Sequence, residues 1–177
     1  MFMRLFIAID FSELKDYFLE LQKLLPKNAK LSLTKTSHIT LKFLGEVQPN
    51  NADKIIKILK ETKFQKFDVS LDSMGIFPSD DYIRVVWVGL NPEDNILELQ
   101  KNIDESLKDL FKKEKGFKAH ITLARVKYVE DKKSFVEHLK KIKIENKKIE
   151  VKDFRLIKST LSPKGSIYED LAVFNSQ

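Results

Sequence analysis

Two of the three histidines in this chain sit in the same tetrapeptide, His38-Ile39-Thr40-Leu41 and His120-Ile121-Thr122-Leu123. In a strand, side chains alternate between faces with a period of two, so each copy presents an imidazole beside a hydroxyl and turns Ile and Leu the other way. Two such strands side by side would flank one small group with two titrating side chains. Imidazole exchanges protons near neutrality, so one ring can activate a water while the other protonates a departing oxygen. Hydroxyls fixed beside them can hold negative charge on the non-bridging oxygens. This is equipment for paired acid and base catalysis at a phosphate. The same tetrapeptide can also arise by chance between two Ile- and Leu-rich strands, so its surroundings matter.

Those surroundings are informative. The chain opens with Met3-Arg4-Leu5-Phe6-Ile7-Ala8-Ile9, and residues 37–47 read SHITLKFLGEV. Gly75-Ile76-Phe77-Pro78 and Arg84-Val85-Val86-Trp87-Val88-Gly89 follow, and residues 119–126 read AHITLARV. Taken together, and over nearly the whole chain, these segments resemble the 2H phosphoesterase superfamily. Within it they are similar to the bacterial and archaeal RNA 2′,3′-cyclic phosphodiesterases, historically called 2′-5′ RNA ligases.

The resemblance implies an α+β fold of two pseudo-symmetric lobes, each an antiparallel sheet with flanking helices, around a central cleft that receives one motif from each lobe. It implies hydrolysis of RNA 2′,3′-cyclic phosphodiester ends to 2′-phosphomonoesters, with His38 as general acid on the 3′ oxygen and His120 as general base on water. The pseudo-symmetric residues by themselves leave those two roles interchangeable. Thr40 and Thr122 are suited to bind the phosphate. Arg125 completes the second motif as HxTxxR, where related enzymes hold phosphate with the guanidinium. One position departs from the pattern. Many members carry Pro before the second histidine, which restricts the approach to the strand, and this chain has Ala119.

Several side chains keep two readings. Strict alternation puts Arg125 opposite His120 and Thr122, so either the strand bulges after Leu123 or Arg125 is a surface charge. Lys42 shares the parity of His38 and Thr40, and is either a cleft charge or an ordinary solvent-facing lysine. Phe6 and Trp87 are either stacking platforms for a base or core. His138 reads as a surface residue without a role.

Composition sets limits. A chain of 177 residues with 42% hydrophobic content can bury one substantial core or two small lobes sharing a cleft. The absence of cysteine removes disulfides, thiolate nucleophiles and Cys-ligated zinc. No compact metal-ligand spacing appears, and no cofactor or metal is expected. Arg4, Asp10 and Glu13 interrupt the opening apolar stretch, so no membrane span or signal peptide is expected and the location should be cytoplasmic. The net charge of +6 suits a polyanionic partner. A solvated lysine-rich face would look the same, since residues 131–158 hold ten Lys or Arg against five Asp or Glu. The expected partner is an RNA with a 2′,3′-cyclic end, a tRNA-derived end being one candidate, with no obligatory protein partner. Two other activities stay open: joining of 2′,3′-cyclic to 5′-hydroxyl ends at the same site, and RNA or nucleotide binding without turnover.

The elements that must position the motifs follow from periodicity. Residues 3–9 read as a strand, and Asp10 with Glu13 as a capping box for a helix with Leu14, Tyr17, Phe18, Leu21, Leu24 and Leu25 inward. Strands are expected at 31–34 and 38–44, the second stopped by Gly45. A helix over 51–63 turns Ile55, Ile56 and Leu59 inward. Strands at 67–77 and 83–90 flank a turn at 78–81. Asn91 and Pro92 read as N-cap and first residue of a helix through Ile96, Leu99, Ile103, Leu107, Leu110 and Phe111, ending near Gly116. The second motif strand spans 118–127, a helix 132–142, and two last strands 148–158 and 167–174, with a turn at 162–165. No linker marks independent domains, so residues 1–177 are expected to form a single catalytic unit.

Overall fold

A computed structural model describes residues 2–163 and 165–177. Lys164 of the expected last turn lies outside the described residues. In chain order the elements are β1 (Met3–Asp10), a short 3₁₀ turn (Ser12–Leu14), α1 (Lys15–Lys23), β2 (Ala29–Leu33), β3 (His38–Val47), α2 (Pro49–Lys60), β4 (Phe67–Ser79) and β5 (Tyr82–Asn91). Then come α3 (Asp94–Ser106), β6 (Ile121–Val129), α4 (Lys132–Lys141), β7 (Lys148–Val151), β8 (Asp153–Ser162) and β9 (Gly165–Asn175). The fold is α+β, as expected. One sheet has the order β3-β1-β8-β9, the other β2-β6-β5-β4-β7, and neighbouring strands run antiparallel.

Each motif strand therefore lies in its own sheet. The segment between β2 and β3 stitches the two together. Leu33 pairs with Ala124 in the second sheet, the Thr34 amide donates to Leu123 O at 2.9 Å, and His38 pairs with Asp10 in the first. Leu5, Ile7 and Ile9 of β1 join one continuous core with Ile39 and Leu41 of β3, Ile121 and Leu123 of β6, and the inward stripes of the helices. Burying each such side chain stabilises the fold by roughly 1.5–3 kcal/mol. The alternate β1 residues Phe6 and Ala8 form a small separate cluster with Ile157, on the other face of the first sheet. That second face is the one that carries His38.

Local expectations are corrected in places. Asp10 ends β1 and accepts from Ser12 Oγ at 2.6 Å and Ser12 N at 3.2 Å; the 3₁₀ turn Ser12–Leu14 follows, without a side-chain cap, and α1 starts only at Lys15. That helix stops at Lys23, which leaves Leu24 52% exposed. Gly45 does not end β3. It adopts φ 71° at a bulge, where a residue without Cβ is favoured, and the strand continues to Val47. Asn91 is the last residue of β5 and Pro92 precedes the helix, so α3 begins at Asp94. Ser79 pairs with Tyr82, which places Pro78 inside β4 and shortens the turn to Asp80 and Asp81. The run 148–158 divides at Lys152: β7 pairs with β4 of the second sheet, whereas β8 pairs with β1 and β9 of the first.

Candidate active site

The two motif strands share an irregularity. In β3, Ala8 pairs with Thr40 and Ile7 with Lys42, so Leu41 has no partner. In β6, Trp87 pairs with Thr122 and Val86 with Ala124, so Leu123 has none. An extra residue reverses the alternation beyond it. Ile39 and Leu41 point into the core, and past the bulge Lys42 and Leu44 do so too; likewise Ile121 and Leu123, then Ala124 and Val126. The opposite face of each strand carries the polar set. His38 and Thr40 are half-buried and are followed there by Phe43; His120 and Thr122 are half-buried and are followed by exposed Arg125.

Both sequence-level ambiguities on these strands are thereby decided. Arg125 shares the face of His120 and Thr122. Lys42 is neither a cleft charge nor a solvent-facing lysine. It is 2% exposed, its ammonium pairs with buried Asp104 and donates to Lys112 O at 2.7 Å, and Asp104 also accepts from Glu114 N at 2.8 Å. The β3 strand is thus tied to the loop that leads toward His120.

The bulge at Leu123 is held from outside. Gln22, 8% exposed on α1, donates from Nε2 to Leu123 O at 2.8 Å and to Thr34 O at 2.8 Å. The Thr34 hydroxyl donates to Thr122 O at 2.7 Å. Sequence reasoning missed Gln22 and Thr34. The available signal was a glutamine beside Leu21 on the inward stripe of an amphipathic helix, since a buried amide must find partners.

The two imidazoles differ in surroundings. His38 packs against Phe6, with centroids 5.2 Å apart, and Tyr168 at 5.8 Å. Burial pushes its pKa down from 6.5 to about 4, the nearby carboxylate of Asp10 works in the opposite direction, and His120 lowers it further. His38 therefore senses the charge of His120. Asp10 is in turn 3.5 Å from Arg155, whose guanidinium also engages Asp153 and Asp170. His120 lies edge-on to Phe77 at 4.9 Å, with Trp87 at 6.2 Å. Burial lowers its pKa as well, opposed by a hydrogen bond from Nδ1 to Lys118 O at 2.8 Å. A carbonyl can only accept, so Nδ1 carries the proton and the neutral ring is left with its lone pair on Nε2.

The aromatics picked out as stacking candidates are occupied. Phe6 is 3% exposed beneath His38. Trp87 lies over Gly75, where a Cβ would come within 2.2 Å of the indole, and packs on Phe77 at 4.8 Å. His138 has a structural partner: its Nε2 is 3.0 Å from Leu24 O, joining α4 to the end of α1.

Comparison with known proteins agrees with this duplicated arrangement. The family model described as LigT like Phosphoesterase matches twice, over residues 9–87 and 88–168. An RNA 2′,3′-cyclic phosphodiesterase of Methanocaldococcus jannaschii is 39% identical over 171 residues, covering 94% of this chain and 97% of the relative. One of Archaeoglobus fulgidus is 38% identical over 179 residues, covering 97% and 99%. Among solved structures, a Thermus thermophilus protein superposes with TM-score 0.82 at 24% identity, covering 98% of this chain and 97% of that one. Escherichia coli LigT complexed with 3′-AMP superposes with TM-score 0.80 at 24% identity, covering 100% and 99%.

Proposed function

Because this chain belongs to the LigT-like phosphoesterase family, we propose that it hydrolyses RNA 2′,3′-cyclic phosphodiester ends to 2′-phosphomonoesters by acid and base catalysis between His38 and His120. The supporting observation is the hydrogen bond from His120 Nδ1 to Lys118 O, which leaves Nε2 as the acceptor a general base needs. The depressed pKa of that ring keeps it neutral at working pH. Water gives its proton to His120 Nε2 and attacks phosphorus. The bond from phosphorus to the 3′ oxygen breaks, and His38 delivers a proton to that oxygen.

His38 must first acquire its proton. Alone it holds one weakly, with a pKa of about 4. An anionic phosphodiester placed between the two rings adds negative charge beside it and raises that value, in the same direction as Asp10. Thr40 and Thr122 donate to the non-bridging oxygens, and Arg125, on the same face by virtue of the Leu123 bulge, holds them by charge-assisted hydrogen bonds. The scheme uses no metal, and the whole chain acts as one catalytic unit because each lobe supplies one histidine.

RNA ends, tRNA-derived ends among them, are the substrate class, and recognition through the cleft needs no protein partner. A cytoplasmic setting suits a chain without cysteine. Among the described residues no helix is long and apolar enough to cross a membrane. The reading is tested by incubating a short RNA with a 2′,3′-cyclic end in chelator and identifying the product. A 2′-phosphate alone is expected. A 3′-phosphate would reverse the direction of ring opening, and a dead enzyme that recovers with added metal would overturn the mechanism.

A further inference from the structure

The two imidazoles are backed by different groups. His120 is fixed through Nδ1 by a neutral carbonyl, that of Lys118, whereas the cross-strand partner of His38 is Asp10. One row further along the sheet, Ala8 pairs with Thr40 on one side and with Arg155 of β8 on the other. Paired residues project to the same face, so Arg155 lies on the cleft face with Thr40. Its Nη1 is 3.5 Å from Asp10 Oδ2 and donates to Asp170 Oδ2 at 2.9 Å, and its Nε donates to Asp153 Oδ1 at 3.1 Å. A guanidinium engaged by three carboxylates is poorly placed to take a phosphate as well, so Arg155 is not a second Arg125. Asp10 is itself held, Oδ1 by Ser12 N and Oδ2 by Ser12 Oγ. One cation among three carboxylates leaves a surplus of negative charge behind His38. The other titratable groups around that ring are His120 of the opposite sheet and Tyr168 of β9.

We propose that Arg155 is a positioning residue for the acid side of the site: it clamps the Asp10 carboxylate where its charge favours protonated His38, and cancels enough of that charge for the ring to give its proton up. The proposal rests on His38 being the general acid of the reaction argued above. An acid must carry its proton before the reaction, yet hold it loosely enough to protonate the departing oxygen. Asp10 meets the first condition and Arg155 the second. The neutral carbonyl behind His120 suits a base, which must start uncharged. The two backings thus distinguish roles that the repeated motif leaves equivalent.

NMR titration of the His38 ring, assigned with His38→Ala, tests the clamp without turnover. Arg155→Met removes the counter-charge and should raise the titration midpoint by about one pH unit. Arg155→Lys keeps the charge and should stay close to wild type. With Asp10→Asn already present, Arg155→Met should move the midpoint far less, because the guanidinium acts through Asp10. Asp170→Asn, at an exposed side chain, leaves the guanidinium more fully to Asp10 and should lower the midpoint, so the test stands even if Arg155→Met does not fold. The pH dependence of kcat/KM on a 2′,3′-cyclic end should follow the midpoint in each variant, whereas a merely structural Arg155 would reduce turnover and move neither. Three results would overturn the clamp: an unmoved or lowered midpoint in folded Arg155→Met, an unmoved or raised one in Asp170→Asn, or an equal rise with and without Asp10. Midpoints that move as described in a protein without turnover support the clamp and count against the hydrolase reading alone.

Discussion

The side-chain amide of Gln22 donates to the carbonyl oxygen of Leu123 at 2.8 Å, and this carbonyl belongs to the residue that the β5–β6 pairing skips. A helix side chain thus stabilises the irregularity that brings Arg125 round to the face of His120. Replacing Gln22 with Met keeps the volume and removes the donor. A loss of about 1–3 kcal/mol in urea unfolding is expected, from two hydrogen bonds of about 0.5–1.5 kcal/mol each, while Leu123 O keeps the Thr34 amide as a donor. If the bulge positions Arg125, KM should rise more than kcat falls. An unchanged KM in a destabilised variant would separate the bulge from phosphate binding.

Lys42 and Asp104 form a buried ion pair between the first motif strand and α3. Lys42→Met leaves a buried carboxylate with Glu114 N as its remaining hydrogen-bond donor, and should cost about 3–5 kcal/mol of stability. The double variant Lys42→Met, Asp104→Leu should recover most of that loss, because the uncompensated charge is gone. Denaturant midpoints of the three proteins check this. A double variant as unstable as the single would contradict it.

Burial of His38 couples stability and catalysis to pH. Its folded pKa of about 4 lies below the unfolded 6.5, so between these values the unfolded chain binds more protons. Stability from this group is complete above pH 6.5 and is lost as pH falls toward 4, by at most roughly 3 kcal/mol. His38→Ala should flatten that part of the profile. In catalysis, kcat/KM reports the free enzyme, which needs His38 protonated and His120 neutral. With both pKa values lowered, its optimum should fall on the acid side of 6.5, whereas that of kcat should move upward once bound phosphate raises His38. Asp10→Asn, which removes the charge that favours protonated His38, should move the kcat/KM optimum further toward acid.

Gly75 supplies the space in which Trp87 lies. Gly75→Ala would bring a Cβ to 2.2 Å from the indole and force it off its seat. The expected cost is about 1–3 kcal/mol for overpacking, together with reduced turnover, since His120 borders Trp87 and Phe77. Trp87 is the sole tryptophan, so its emission reports the displacement directly. Unchanged emission in the variant would show that the seat is not as tight as described.

The alternation of residues 38–41 and 120–123 is readable in the sequence because a half-buried strand imposes it through hydrophobicity alone. The bulges after Thr40 and Thr122 are not. Which residue a ladder skips depends on the partner strand and on side chains far away in sequence, such as Gln22. That is why simple parity puts Lys42 on the wrong side and leaves Arg125 undecided. The same limit explains residues 148–158, which read as one strand because an apolar alternation does not say that β7 and β8 belong to different sheets. Tyr168 is hidden for the opposite reason: it is an ordinary strand aromatic until packing leaves it exposed beside His38.

The most direct test of the two-histidine mechanism is kcat/KM on a 2′,3′-cyclic RNA end for wild type, His38→Ala, His120→Ala and the double variant. Each single change should cost about 10²–10⁴-fold. The double should be little worse than either single, because acid and base act as a unit. Near wild-type turnover in either single variant, with the protein folded, would contradict the mechanism.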